Sequence, residues 1–327
     1  RWGRTEETYG EDPYLVSRLG VAAVRGFQGE TFTGAPGKVL ATAKHFSAHG
    51  QPEGGTNSAP ANYAERMLRE ELFAPFEAAV REGGVGSVMA SYNEINGIPA
   101  HINAWLLKDV LCGDWGFTGF VISDGWGVDD LYRLHAVAAD ASEAAEKAFN
   151  SGIEAELGTC LRHLPAAVEA GRIRESDLDR AVAKMLRVKL MLGLFEDPFV
   201  DEDAAVAVTT SAEHRALALE AARKAIVLLK NEGDLLPLDR DQLGSLAVIG
   251  PNAAAVRLGG YSGDPLEPVS VLDGLRQKAD GEIEILYAEG CGLTQAEGSA
   301  LELWFTDEVI PADPDHDAAL IAEAVAV

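Results

Sequence analysis

Apolar positions along the chain alternate between two periods. Stretches with the 3.6-residue spacing of an amphipathic helix are followed by short, continuously apolar runs, the pattern of βαβ units around a parallel sheet. The pattern predicts a helix over 13–28, a strand over 39–43 delivering Lys44 and His45, and a long helix over 63–82. A strand over 87–91 then delivers Tyr92 and Asn93, a helix covers 103–112, and a strand over 120–123 ends in Asp124. A helix over 142–151 and a strand over 153–157 follow, and two further helices close the region. Ser176 is the predicted N-cap of the second, with Leu178, Val182, Met185 and Leu186 on one face.

Four strand–helix units make half of a (β/α)8 barrel, which needs roughly 250 residues. The helix over 13–28 has no strand before it, and the sequence opens on Arg1 without Met or a leader, so a fragment of a longer protein is expected. The aperiodic, acidic stretch after Leu194 reads as a linker. A second α/β region follows, with a helix over 213–224 and strands over 225–229, 246–250 and 283–288. The expected fold class is α/β: the C-terminal half of a TIM-like barrel over 1–195, a linker over 196–212, and the start of an α/β sandwich over 213–327.

Charge narrows the partners. Against 52 Asp and Glu stand 27 Lys and Arg, a net charge of −25, which disfavours nucleic acid and anionic membrane surfaces. No apolar run approaches the roughly 18 residues of a membrane span. With 47% hydrophobic residues the chain is not a disordered acidic tail. Cys112, Cys160 and Cys291 are odd in number and far apart, so neither a disulfide framework nor a zinc cluster is indicated, and they read as small buried hydrophobes. Localisation and oligomeric state leave no trace in the sequence.

Chemistry gathers at strand ends, where barrels of this type carry their reactive groups. Three successive strands end in Lys44–His45, Tyr92–Asn93 and Asp124. A carboxylate terminating the apolar run Gly119-Phe120-Val121-Ile122-Ser123 belongs at the strand's open mouth. Beside a cation such as Lys44 or Arg4 its pKa should be held down, leaving it ionised as a nucleophile, base or metal ligand. An N-cap role for Asp124 on the following helix is the alternative. His45 and His49 could be read as a metal pair, but no acidic third ligand is evident, so neither metal nor cofactor is expected. Gly250-Pro251-Asn252 lacks G-x-G-x-x-G, and proline removes an amide that a phosphate would need.

These residues form ordered motifs. Arg1-Trp2-Gly3-Arg4-Thr5-Glu6-Glu7-Thr8-Tyr9-Gly10-Glu11-Asp12-Pro13, Lys44-His45-Phe46, Met89-Ala90-Ser91-Tyr92-Asn93 and Val121-Ile122-Ser123-Asp124 resemble glycoside hydrolase family 3. Ala225-Ile226-Val227-Leu228-Leu229-Lys230-Asn231-Glu232 and Val248-Ile249-Gly250-Pro251-Asn252 resemble the opening of that family's α/β sandwich. The resemblance implies a retaining, exo-acting β-glycosidase, a β-glucosidase or else a β-xylosidase, acting on β-linked oligosaccharides or aryl and alkyl β-glycosides. It implies Asp124 as catalytic nucleophile, Arg4, Lys44 and His45 as hydrogen-bonding the sugar, Tyr92 beside the nucleophile and Met89 lining the pocket.

It also implies a Glu general acid beyond residue 327, so the chain alone is expected to be inactive. The stretch from His49 to Ser58 lacks the Asp–His signature of the family's N-acetylglucosaminidases. Glu53, Glu94 and Glu232 read as solvated surface. Trp126 departs from the family pattern in which Trp directly follows the Asp, and it is left without a role. A non-hydrolysing sugar-binding barrel and a Schiff-base enzyme using Lys44 stand as readings from other classes.

Overall fold

The computed structural model describes residues 2–30, 32–35, 37–209, 211–258, 261–263, 267–295 and 310–327. Arg1 of the first motif therefore lies outside the described residues. The chain divides into two compact units, one reaching to Ala207 and the other starting at Val208.

The first unit is built on a parallel sheet of β1 (Thr42–Phe46), β2 (Ser87–Ala90), β5 (Phe120–Gly125) and β6 (Ala155–Leu157), in that spatial order. Each strand is joined to the next through helical segments, as parallel pairing requires. Between β2 and β5 a small hairpin, β3 (Glu94–Ile95) with β4 (Ile98–Pro99), turns at Asn96 and Gly97. Both turn residues have positive φ, 51° and 82°, the backbone that Asn-Gly favours in a two-residue hairpin. The core beneath the sheet contains Phe46, Phe73, Val88, Leu106, Leu107, Leu111 and Ile153, all essentially inaccessible to solvent.

Several predicted elements keep their bounds. The helix Pro13–Gln28 starts where Asp12 accepts the Leu15 amide and proline fills the first turn. Asp140 caps Ala141–Ser151 in the same way. Elsewhere the structure differs. The first strand lies three residues later than expected, at Thr42–Phe46, so Lys44 and His45 are strand residues rather than its successors. The buried Gln28 side chain explains the shift: its Oε1 accepts the amides of Ala41 and Gly86, occupying the position where ladder pairing would begin.

The helix expected over 63–82 is broken. One α turn, Glu65–Met67, runs into the π-wound Leu68–Leu72, where the Phe73 amide reaches back to Leu68. Pro75 then starts Ala74–Arg81, its missing N–H falling where none is needed. Trp105–Asp114 is also π-wound. Ser176 is not a cap: Arg174 precedes the helix Glu175–Met191, and Val182 and Leu186 of the expected buried face are exposed. A helix, Glu202–Val208, lies inside the stretch 196–212. Cys160 is buried, whereas Cys112 and Cys291 are half-buried.

The second unit holds the parallel pair β7 (Ser245–Ile249) and β8 (Glu284–Ala288) with the helices Ala212–Ala225, Val271–Ala279 and Pro314–Ala326. Residues 226–229 are not a strand, because no described residue pairs with them. Among the described residues no helix is long and apolar enough to cross a membrane.

Candidate active site

Asp124 occupies the last turn of β5, and its carboxylate is largely sheltered from solvent. Its Oδ1 accepts the Gly125 amide at 2.8 Å. Its Oδ2 is buried without a hydrogen-bond partner among the described residues. The helix after β5 begins at Asp130 and is preceded by Asp129, so Asp124 is not a helix cap. Tyr92, just beyond β2, donates its hydroxyl to the Gly125 carbonyl at 2.7 Å, which pins it beside the carboxylate. Burial, with Asp124 as the next cause, pushes the Tyr92 phenol well up, so it remains a neutral donor.

His45 Nε2 lies 3.0 Å from Arg4 Nη2 and 3.4 Å from Asp124 Oδ2. Burial, followed by the charges of His49, Arg4 and Lys44, depresses the His45 pKa to about 2. The ring is therefore neutral. Its Nε2 lone pair accepts from the guanidinium, which assigns the proton to Nδ1 and leaves none on Nε2 for Asp124. The short His45–Asp124 separation is consequently not an ion pair. Arg4 also grips Glu7 as a fork, Nε to Oε1 at 2.7 Å and Nη2 to Oε2 at 2.8 Å. Lys44 Nζ stands 4.0 Å from the same Glu7 Oε2. Met89 is half-buried in β2, in register with Ile122 of β5.

One expectation is overturned here. The Asp124 pKa is raised, not held down: burial outweighs the Gly125 amide, Tyr92, Arg4 and Lys44, all of which pull the other way. The cations favour the charged form but remain partners of Glu7, so their help is diluted.

Three groups that sequence reasoning did not assign belong to this surrounding. Glu7 orients both cations, and it sat unremarked within the first motif. His49 sits edge-on to His45 at 4.5 Å between ring centres, its Nε2 held by Asn57 Oδ1 at 2.8 Å. Burial and then Arg4 lower its pKa to about 4. His101, only 1% exposed, accepts the backbone amide of Asp124 on its Nε2 at 3.3 Å. Burial takes that imidazole to about 3, so it too is neutral. No motif marks His101 in the sequence. Glu94, expected to be solvated, is half-buried against His135 at 3.0 Å.

The fold also supplies the third ligand that was not evident in the sequence. Donor atoms of His45, His49 and Asp124 lie within 4.8 Å of one another. The Arg4 guanidinium on His45 Nε2 works against a cation there by like-charge repulsion. Hydrogen bonding to a polyhydroxylated ligand suits this set better: a guanidinium and an ammonium offer donors, a carboxylate offers acceptors, and neutral imidazoles offer both. Trp126 stands at the rim, 57% exposed, with φ of +55° that a bulky residue seldom adopts.

Comparison with known proteins defines the class as a glycoside hydrolase. Residues 1–188 match the glycosyl hydrolase family 3 N-terminal domain and residues 226–327 its C-terminal domain. The chain belongs to glycoside hydrolase family 3. It is 43% identical over 313 residues to a beta-xylosidase of Formosa agariphila, covering 90% of this chain and 43% of that protein. A periplasmic beta-glucosidase of Salmonella typhimurium is 35% identical over 336 residues, covering 99% of this chain and 43% of that protein. A β-glucosidase structure from Erythrobacter marinus superimposes with a TM-score of 0.91 at 40% identity, over 99% of this chain and 44% of that one. The chain thus spans less than half the length of these relatives.

Proposed function

We propose that the protein containing this chain is a retaining, exo-acting β-glycosidase that removes terminal β-D-glucosyl residues, with Asp124 as nucleophile. The observation that carries this reading is Asp124 Oδ2, a buried carboxylate oxygen without a hydrogen-bond partner among the described residues, at the carboxyl end of a parallel strand. That oxygen keeps its lone pairs available for an anomeric carbon. Arg4, Lys44 and His45 bind the sugar hydroxyls, Tyr92 fixes the carboxylate's surroundings, and Met89 lines the pocket. The four strands belong to the C-terminal half of a (β/α)8 barrel, the part over 1–195, joined through 196–212 to the start of an α/β sandwich over 213–327. A general acid roughly 5 Å from the nucleophile completes this chemistry, and we assign it to no residue of this chain.

Reaction of the full-length protein with a 2-deoxy-2-fluoro-β-glucosyl fluoride tests the nucleophile. Mass spectrometry should find the fluoroglucosyl label on the peptide holding Asp124. A label on another carboxylate would overturn the assignment. A second reading, β-xylosidase, is favoured by the 43% identity to the Formosa agariphila enzyme. The ratio of kcat/KM on aryl glucoside and aryl xyloside decides between them.

A further inference from the structure

A second cluster of ligand-type side chains lies at the carboxyl ends of β5 and β6. Asp129 immediately precedes the helix Asp130–Arg133, Glu156 is in β6, and Cys160 opens the turn Cys160–His163. One carboxylate oxygen of each acid and the Cys160 Sγ all lie within 4.8 Å of one another. Cys160 is fully buried, Asp129 is 2% exposed and Glu156 is half-buried.

Local contacts account for only part of this arrangement. Glu156 Oε1 accepts the Cys160 amide at 3.0 Å and Oε2 the Leu161 amide at 2.7 Å, which fixes the carboxylate and leaves each oxygen a second lone pair. Asp129 Oδ1 faces Arg133 Nη2 and the Tyr132 hydroxyl, both at 3.4 Å. Asp129 Oδ2 faces inward, sealed from solvent, with no hydrogen-bond partner among the described residues. Burial, and then Asp129, push the Cys160 thiol up to about 12, so in the metal-free protein it keeps a single proton to share between two carboxylates. Gly158 keeps the approach open, since a Cβ there would stand 2.8 Å from Glu156 Oε1 and 3.0 Å from Asp129 Oδ2. A buried, oriented oxygen left unpaired beside a second acid and a thiol calls for a cation.

We propose that Asp129, Glu156 and Cys160 bind one divalent cation of the zinc type. Sulfur in the donor set selects against magnesium and calcium, and three protein donors plus a water suit a four-coordinate borderline-soft ion. Tetrahedral ligands at about 2.0–2.3 Å from zinc stand about 3.3–3.8 Å apart, so donors within 4.8 Å of one another close by about 1.5 Å at most. On binding, the metal–sulfur bond forms and the thiol proton leaves to solvent. The ion would tie the loop after β5 to the turn after β6. This site is independent of the reading of Asp124.

Cobalt titration of the metal-free full-length protein, followed by absorbance, tests the proposal. One equivalent should produce a near-ultraviolet thiolate-to-cobalt band, release one proton and raise Tm by several degrees, and zinc should displace it. Cys160→Ser and Asp129→Asn should each remove the band, while Cys112→Ser with Cys291→Ser should leave it intact. No band at equimolar cobalt, or a band that survives Cys160→Ser, overturns the site. If the Cys160 variant does not fold, zinc-edge X-ray absorption of the wild type replaces it. One sulfur at about 2.3 Å with oxygens near about 2.0 Å supports the site, and an oxygen- and nitrogen-only shell overturns it.

Discussion

Acidification should destabilise the first unit between pH 7 and 5. His45, His49 and His101 are buried and neutral, with pKa values near about 2, about 4 and about 3 against an ordinary 6.5. Each is depressed in the folded chain, so the unfolded chain binds the extra proton. Their stabilisation is complete above pH 6.5 and is lost as pH falls toward the folded values. At pH 5 each ring costs the folded state about 2 kcal/mol, or about 6 kcal/mol together, against a total stability of roughly 5–15 kcal/mol. Asp124 and Asp130 act in the opposite sense, since burial raises both above the ordinary 3.8: their stabilisation is present below 3.8 and is lost as pH rises through the folded values. Urea unfolding followed by tryptophan fluorescence is the assay, because Trp2, Trp105, Trp115 and Trp126 all lie in this unit. The midpoint should fall steeply from pH 7 to 5, with close to three protons taken up per chain on unfolding at pH 5. His49→Asn should reduce that uptake to about two. A midpoint independent of pH across this range would refute the neutral, buried assignment.

Other perturbations, all of the full-length protein and its proposed glycosidase activity, follow from single contacts. Gly127→Ala places a Cβ 2.4 Å from the His101 ring, and forcing that ring aside should cost about 1–3 kcal/mol, read as a Tm loss together with a fall in kcat. Tyr92→Phe removes one of the influences that lower the Asp124 pKa, so the acidic limb of the kcat/KM–pH profile should move to higher pH. Arg4→Lys loses the two-pronged grip on Glu7 and the contact with His45, and should raise KM for aryl glycosides by about tenfold with little change in Tm.

Part of the candidate site was legible because Tyr92 and Asp124 fall at or just past strand ends, where a period-switching sequence announces them, whereas Lys44 and His45 lie within their strand. Asp124 is the clearest case: an apolar run stopping at a carboxylate between glycines needs no coordinates to be noticed. The helix Pro13–Gln28 was equally plain, since Asp12 and Pro13 together write an N-terminus. What escaped depends on tertiary burial. The direction of the Asp124 pKa turns on how much water the fold removes, and spacing contains no such quantity. The start of β1 was misplaced because a distant glutamine takes over the backbone amides before it. His101 meets Asp124 only through the sheet, and Asp129 meets Cys160 only through the neighbouring strand. The break near Pro75 was the one error that the sequence itself argued against.

The stretch 226–229 has a colloidal consequence. Ile226, Val227, Leu228 and Leu229 follow a helix with their side chains open to solvent, Leu229 by 92%, and no described residue uses their backbone groups in a ladder. Four adjacent apolar residues with free backbone donors and acceptors are a template for pairing with a second copy. Lys230 and Glu232, joined at 3.0 Å, flank the run on one side as charged gatekeepers. The remaining barrier is the net charge of −25, which keeps copies apart at low ionic strength. Salt near physiological strength shortens that repulsion to about 8 Å, so this chain in isolation is a better colloid in dilute buffer than in saline.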